Sequence, residues 1–172
     1  MMHAVTSRAP LEVEPMTSRS RWLSLIVLCA GMLMIILDQN IVNVALRSIQ
    51  QDLGFTPAGL AWVVNAYGIP FGGLLLLLSG RLGDLLGRKR IFLSGLALFT
   101  AASLLCGLAW TPGLLIAARL VQGIGGALTA AVVLGMIVTL FQEPRERAKA
   151  IGVFSFVGSA GASIGILAGG GV

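Results

Sequence analysis

The chain has 172 residues, of which 56% are hydrophobic and 11% charged, and its mean hydropathy is +0.93. In soluble domains about a quarter of the residues are charged, so this composition excludes an ordinary soluble domain and indicates a membrane protein. The net charge of +5 does not indicate nucleic-acid binding, because the charged residues do not form one basic face. They lie instead in short clusters between apolar runs.

Five apolar segments are long enough to cross the hydrocarbon core, which needs about 20 residues in a helix. They cover residues 22–46, 59–79, 91–110, 113–140 and 150–172. Lipid cannot hydrogen-bond to the backbone, and none of these segments alternates with the period of a barrel strand. We therefore predict an all-α polytopic membrane protein with five transmembrane helices, preceded by a disordered cytoplasmic tail over residues 1–21.

The distribution of lysine and arginine predicts the orientation. Ten of the twelve lie in the tail and in the segments 80–90 and 141–149, which share one side of the membrane if all five spans cross. The opposite side carries Arg47 alone. By the positive-inside rule the N-terminus is cytoplasmic, and we expect a multi-pass protein of the bacterial inner (plasma) membrane.

Two ionisable residues interrupt the apolar spans. Asp38 lies in the first span and Arg119 near the start of the fourth. A charge near the bilayer centre costs about 3 kcal/mol or more, so such residues usually face a cavity or a partner. The alternative for Asp38 is that the first helix ends near residue 37 and the carboxylate lies at the membrane interface. The alternative for Arg119 is that its side chain extends to the outer interface, since the residue lies only roughly 9 Å from the start of its helix.

Further polar residues lie within the spans. Asn40, Asn43, Asn65, Tyr67 and Gln122 are candidates to line a cavity or contact a substrate. For each of them the alternative is a hydrogen bond between two helices.

Glycine recurs every fourth residue in the fifth span, at Gly161, Gly165 and Gly169. This small-xxx-small pattern predicts a close crossing with another helix. The glycines of G-I-G-G-A in the fourth span do not follow a strand, so they do not predict a nucleotide site. His3 cannot form a catalytic triad by itself, and Cys29 and Cys106 have no neighbouring metal ligand, so we expect neither an enzyme nor a metal site.

The stretch S-G-R-L-G-D-L-L-G-R-K-R-I-F at residues 79–92 is a charged interruption between two apolar runs. Topology explains its basic residues but neither Asp84 nor the regular spacing of Gly80, Gly83 and Gly87.

Four stretches carry a family resemblance. They are L-D-Q-N-I-V-N-V-A-L at 37–46, G-R-L-G-D-L-L-G-R-K-R at 80–90, R-L-V-Q-G-I-G-G-A at 119–127 and P-R-E-R-A-K-A at 144–150. In this order they resemble motifs of the major facilitator superfamily, more narrowly of its fourteen-helix drug:proton antiporter branch. The chain departs from those motifs at Asn40, usually threonine, at Leu85, usually basic, and at Ile166, which stands in place of a proline in the helix-five antiporter motif.

The resemblance implies proton-coupled efflux of drugs or small amphipathic molecules, driven by the proton gradient without a cofactor. Asp38 would be the proton-coupling carboxylate, and Arg119 the embedded cation that biases its protonation equilibrium. The loop at residues 80–90 would be a cytoplasmic gate. In this gate Asp84 would contact a helix end of the opposite half of the transporter, and Arg88 would pair with acidic groups. Its members are Gly80, Gly83, Asp84, Gly87, Arg88, Lys89 and Arg90.

The family's folds have far more helices than the five predicted here. We therefore expect a partial N-terminal half that does not transport by itself. Its expected partners are the lipid bilayer, a small-molecule substrate, protons and the missing C-terminal half of the same transporter. The alternatives are a transporter of one specific metabolite, or a non-transporting membrane remnant or scaffold.

Overall fold

The computed structural model describes residues 17–78 and 82–169, and in this part of the chain the regular elements are helices. They are α1 (Ser18–Leu53), α2 (Pro57–Leu78), α3 (Leu82–Leu86), α4 (Arg88–Gly107), α5 (Pro112–Leu140) and α6 (Pro144–Gly169). Within the described residues, α1, α4, α5 and α6 are long and apolar enough to cross a membrane. The all-α membrane fold predicted from the sequence is confirmed.

Each predicted span corresponds to one long helix, and all five helices begin earlier than predicted, α1 and α6 by the most. Helix α1 also continues to Leu53 and does not end at residue 46. Residue 79 of the second predicted span and residues 170–172 of the fifth lie outside the described part of the chain. Residues 18–21, which the sequence places in the tail, form the first turn of α1, where the Thr17 side chain accepts a hydrogen bond from the Ser20 amide. Helix α6 begins at Pro144 and not at residue 150. Hydrophobicity detects only the part of a helix inside lipid, whereas polar turns outside it continue the same backbone hydrogen bonds. Residues 1–16 of the predicted tail lie outside the described part of the chain.

Helix α5 is the centre of the bundle, and glycines bring its neighbours unusually close. A Cβ atom at Gly125 would lie 2.6 Å from the amide nitrogen of Phe99 on α4. One at Gly123 would lie 2.5 Å from the carbonyl oxygen of Tyr67 on α2. Only glycine permits such backbone contact between helices. The glycines of G-I-G-G-A are thus packing positions of α5 toward α2 and α4.

Helices α1 and α6 cross at the glycine pattern of the fifth predicted span. Gly161 lies against Leu33 and Ile36, and Gly165 lies against the side chain of Asn40. Both glycines are buried, which is the geometry of a small-xxx-small contact. The contacts of Gly169 lie outside the described part of the structure.

Apolar clusters close the two ends of the bundle. At the end that holds the turn between α1 and α2, Gly54 adopts the left-handed conformation and Phe55 packs with Val63 and Leu115. At the other end, Phe141 is fully buried and its ring contacts Trp22 edge-on at 5.3 Å.

We predict that Gly125→Ala destabilises the protein by about 1–3 kcal/mol, because the added methyl group collides with backbone that cannot rotate away. The matched control is Gly72→Ala, where a Cβ meets nothing within 4 Å. That change should be neutral or stabilise the helix by about 0.5–1 kcal/mol. Thermal unfolding of the detergent-solubilised variants measures the difference. Equal stability of the two variants would contradict the close approach of α4 and α5.

Candidate functional site

Asp38 and Arg119 form an ion pair inside the bundle. Arg119 Nη1 donates to Asp38 Oδ2 at 2.8 Å, joining α5 to α1. Helix α1 continues beyond Asp38 to Leu53, so the carboxylate does not mark a helix end. The Arg119 side chain is 2% exposed and does not extend to the interface. Both alternative interpretations from the sequence are therefore wrong, because each charge has its partner within the apolar region.

Gln122 completes a closed polar ring with this ion pair. Its Nε2 donates to Asp38 Oδ1 at 2.8 Å, and its Oε1 accepts from Arg119 Nη1 at 2.6 Å. Gln39 adds a weaker contact, with Arg119 Nη2 3.4 Å from its Oε1. Since Arg119 and Gln122 are three residues apart on α5, the helix presents both side chains to Asp38 from the same face.

Helices α4 and α2 enclose the ring. Gln122 Nε2 also donates to Ser103 Oγ on α4 at 2.6 Å. On α2, the Tyr67 ring lies 4.8 Å from Arg119 Cζ, a cation–π distance, and stacks on Phe71 at 5.3 Å. Sequence reasoning missed Ser103, because one serine in an apolar span is common and carries no motif.

The two charges of the ion pair are unequally accessible. The Asp38 side chain is 21% exposed, ten times the fraction of Arg119. The carboxylate can therefore meet a proton or a ligand while its counter-charge stays buried. A partly accessible carboxylate in an apolar bundle is a candidate to bind protons or cations.

The structure brings together only some of the predicted cavity residues. Tyr67 and Gln122 are buried at the ion pair. Asn40 instead donates to the Ile36 carbonyl at 2.8 Å and packs against Gly165. Asn43 and Asn65 are exposed on α1 and α2.

The described part of the charged stretch between the second and third spans, from residue 82 onward, is largely helical. It contains α3 and the first turn of α4, joined at Gly87, whose φ of 86° favours glycine. Lys89 and Arg90 are exposed, and Gly83 packs against Val132 of α5 and the Arg88 side chain. Gly80 and the side chain of Asp84 lie outside the described part of the structure.

Arg88 connects this stretch to α5. Its Nη1 donates to the carbonyl oxygen of Gly135 at 2.7 Å, near the C-terminal end of that helix. The resemblance implied acidic partners for Arg88, and the structure adds a main-chain carbonyl.

Helices of membrane length around a buried acid–base pair define a multi-pass membrane protein with a polar site in its apolar interior. The family model described as Major Facilitator Superfamily matches residues 28–172. The chain therefore belongs to the major facilitator superfamily, a family of transporters of small molecules across the lipid bilayer.

Several relatives have names that refer to resistance or export. The chain is 49% identical over 150 residues to the puromycin resistance protein pur8 of Streptomyces alboniger, an alignment covering 87% of the chain and 30% of that protein. It is 44% identical over 147 residues to the cephamycin export protein CmcT of Amycolatopsis lactamdurans, covering 86% and 30%. It is 39% identical over 153 residues to the multidrug resistance protein Stp of Mycobacterium tuberculosis, covering 89% and 28%. The chain thus spans less than a third of the length of these relatives.

We predict that Asp38→Ala destabilises the protein by about 3–5 kcal/mol, because it leaves the buried Arg119 charge without its partner. The double variant Asp38→Ala, Arg119→Met should lose less than the sum of the two single variants. Stability of the four proteins in detergent gives the coupling energy.

The control is Arg21→Gln, which removes an ion pair between α1 and α6 whose side chains are 27% and 37% exposed. Its loss should be at most about 1 kcal/mol. Additive effects at Asp38 and Arg119 would show that the two charges do not depend on each other.

Proposed function

We propose that this chain is the N-terminal part of a proton-coupled exporter of drugs or small amphipathic molecules. The observation that carries the proposal is the Asp38–Arg119 pair, with its carboxylate accessible and its guanidinium buried. The names of the relatives from Streptomyces alboniger and Amycolatopsis lactamdurans support export as the direction. No cofactor is required, since the proton gradient supplies the energy.

In this mechanism Asp38 exchanges a proton as the transporter changes conformation. The ionised carboxylate is balanced by Arg119 and by the Gln122 amide. Protonation removes one charge of the pair and leaves Arg119 uncompensated in an apolar region, which is unfavourable. The polar ring must then rearrange, and its members lie on α1 and α5, so proton binding changes the contact between these helices.

The proposed substrate site faces the same carboxylate. A cationic or neutral amphipathic molecule is compatible with an accessible acid beside apolar helix surfaces. Asn43 and Asn65 are exposed on helices of the bundle and are candidates for the polar part of that surface. The remaining helices of the transporter would supply the opposite wall, as expected for a site between two halves.

The stretch around α3 is the proposed cytoplasmic gate. Arg88 attaches it to α5, and Gly87 permits the turn into α4. Asp84, whose side chain is not described, would contact a helix N-terminus of the other half. Opening and closing of this contact would accompany the rocking of one half against the other.

We propose that the N-terminus is cytoplasmic, and labelling of introduced cysteines tests this orientation. A membrane-impermeant maleimide should label Gln51→Cys in intact cells and Arg145→Cys only after permeabilisation. Both positions are exposed, and they lie near opposite ends of the bundle. The unsubstituted chain gives the background from Cys29 and Cys106. The reverse labelling pattern would refute the proposed orientation.

The decisive test of function is Asp38→Asn in the complete transporter. We expect efflux of a cationic fluorescent dye to fall to near background and its pH dependence to flatten, because the amide of asparagine cannot take up and release the coupling proton. Dye efflux from inverted vesicles or whole cells at a series of pH values is the measurement. Asp52→Asn is the matched control, since Asp52 is exposed near the outer end of the same helix. Unchanged efflux and pH dependence in Asp38→Asn would exclude Asp38 as the proton site.

A further inference from the structure

The Gln122 side chain is fully buried, and its amide group has all its hydrogen-bonding positions occupied. An amide offers two N–H donors and two acceptor lone pairs. The donors bind Asp38 Oδ1 at 2.8 Å and Ser103 Oγ at 2.6 Å. The oxygen accepts from Arg119 Nη1 at 2.6 Å, and the Cys106 thiol lies 3.8 Å from it. The Gln122 side chain therefore connects the ion pair to α4.

The orientation of this amide matches an ionised Asp38. One of its N–H groups donates to the Asp38 carboxylate, and its oxygen accepts from the Arg119 guanidinium. A reversed amide would place oxygen against the carboxylate and N–H groups against Arg119, so both contacts would become repulsive. An interaction that fixes the Gln122 amide in this orientation therefore favours the ionised form of Asp38.

Ser103 on α4 is placed to fix this orientation of the Gln122 amide. Its hydroxyl oxygen accepts a hydrogen bond from the second N–H of Gln122, the one that does not bind Asp38. Without that acceptor a buried N–H would lose its partner, and the amide would rotate to find another. The N–H···Oδ1 bond to Asp38 would weaken as a result.

The titratable and charged groups around Asp38 come from three helices. Arg119 belongs to α5, Tyr67 to α2 and Cys106 to α4. The described hydrogen bond of Ser103 joins it to Gln122, not to any of these groups or to Asp38. An effect of Ser103 on proton exchange must therefore pass through the amide.

We infer that Ser103 is a positioning residue, which holds the Gln122 amide against Asp38 and so sets the pH at which the site exchanges its proton. The inference rests on the proposed function, because it assigns a further residue to the same site. It also gives α4, which carries no charged residue of the ring, a direct link to proton exchange.

The test compares three variants of the complete transporter by the pH profile of dye efflux. Ser103→Ala should move the midpoint to higher pH by about 0.5–1 unit, the equivalent of one net hydrogen bond. Ser103→Thr keeps the hydroxyl and should restore the midpoint. Ser94→Ala makes the same change on α4 at an exposed serine that bonds the Ile91 carbonyl, and should leave the profile unchanged.

A midpoint for Ser103→Ala equal to that of Ser94→Ala would overturn the inference, and so would a Thr variant that shifts as far as the Ala variant. Should Ser103→Ala not accumulate in membranes, Ser103→Cys replaces it, with a smaller shift expected because a thiol is a weaker acceptor. If the unsubstituted transporter itself shows no pH-dependent efflux, the proposed function fails first. A pH-dependent parent that loses its dependence in Asp38→Asn, combined with an unshifted Ser103→Ala, refutes the role of Ser103 alone.

Discussion

The ion pair between Asp38 and Arg119 is the interaction on which the rest of the arrangement depends. Either charge alone would be unfavourable in an apolar bundle, and together they form a nearly neutral unit that Gln122 completes. The pair fixes the register of α1 against α5, since a slip of one turn would separate the groups by about 5.4 Å. Structure and proposed chemistry therefore impose the same constraint on these two helices.

Close packing around α5 supplies the rigidity that this constraint needs. Gly123 and Gly125 admit the backbones of α2 and α4, while Gly161 and Gly165 let α6 approach α1. The same type of contact thus joins α5 to α2 and α4, and α6 to α1. Polar groups are brought within hydrogen-bond distance because small residues allow the helices to meet, and not because polar attraction alone draws them together.

The sequence predicted the class of fold and much of the site, but not the geometry. Apolar length predicted the spans because the bilayer sets that length directly. Asp38 and Arg119 were recognisable because charges in such spans are rare. Asn40, Asn43 and Asn65 could not be separated from Tyr67 and Gln122, since the side to which a polar residue points depends on helix rotation. Ser103 gave no signal, because its importance arises only from the neighbour that packing provides.

The separation of the ion-paired residues along the chain has a consequence for biosynthesis. Asp38 and Arg119 are 81 residues apart, so the first helix enters the membrane well before its partner charge exists. At about 5–20 residues per second, the ribosome needs about 4–16 s to add that length. During this interval a carboxyl group is held in or beside lipid with no guanidinium to balance it. The first helix must therefore insert without this ion pair, which can form only after the fourth span has been made.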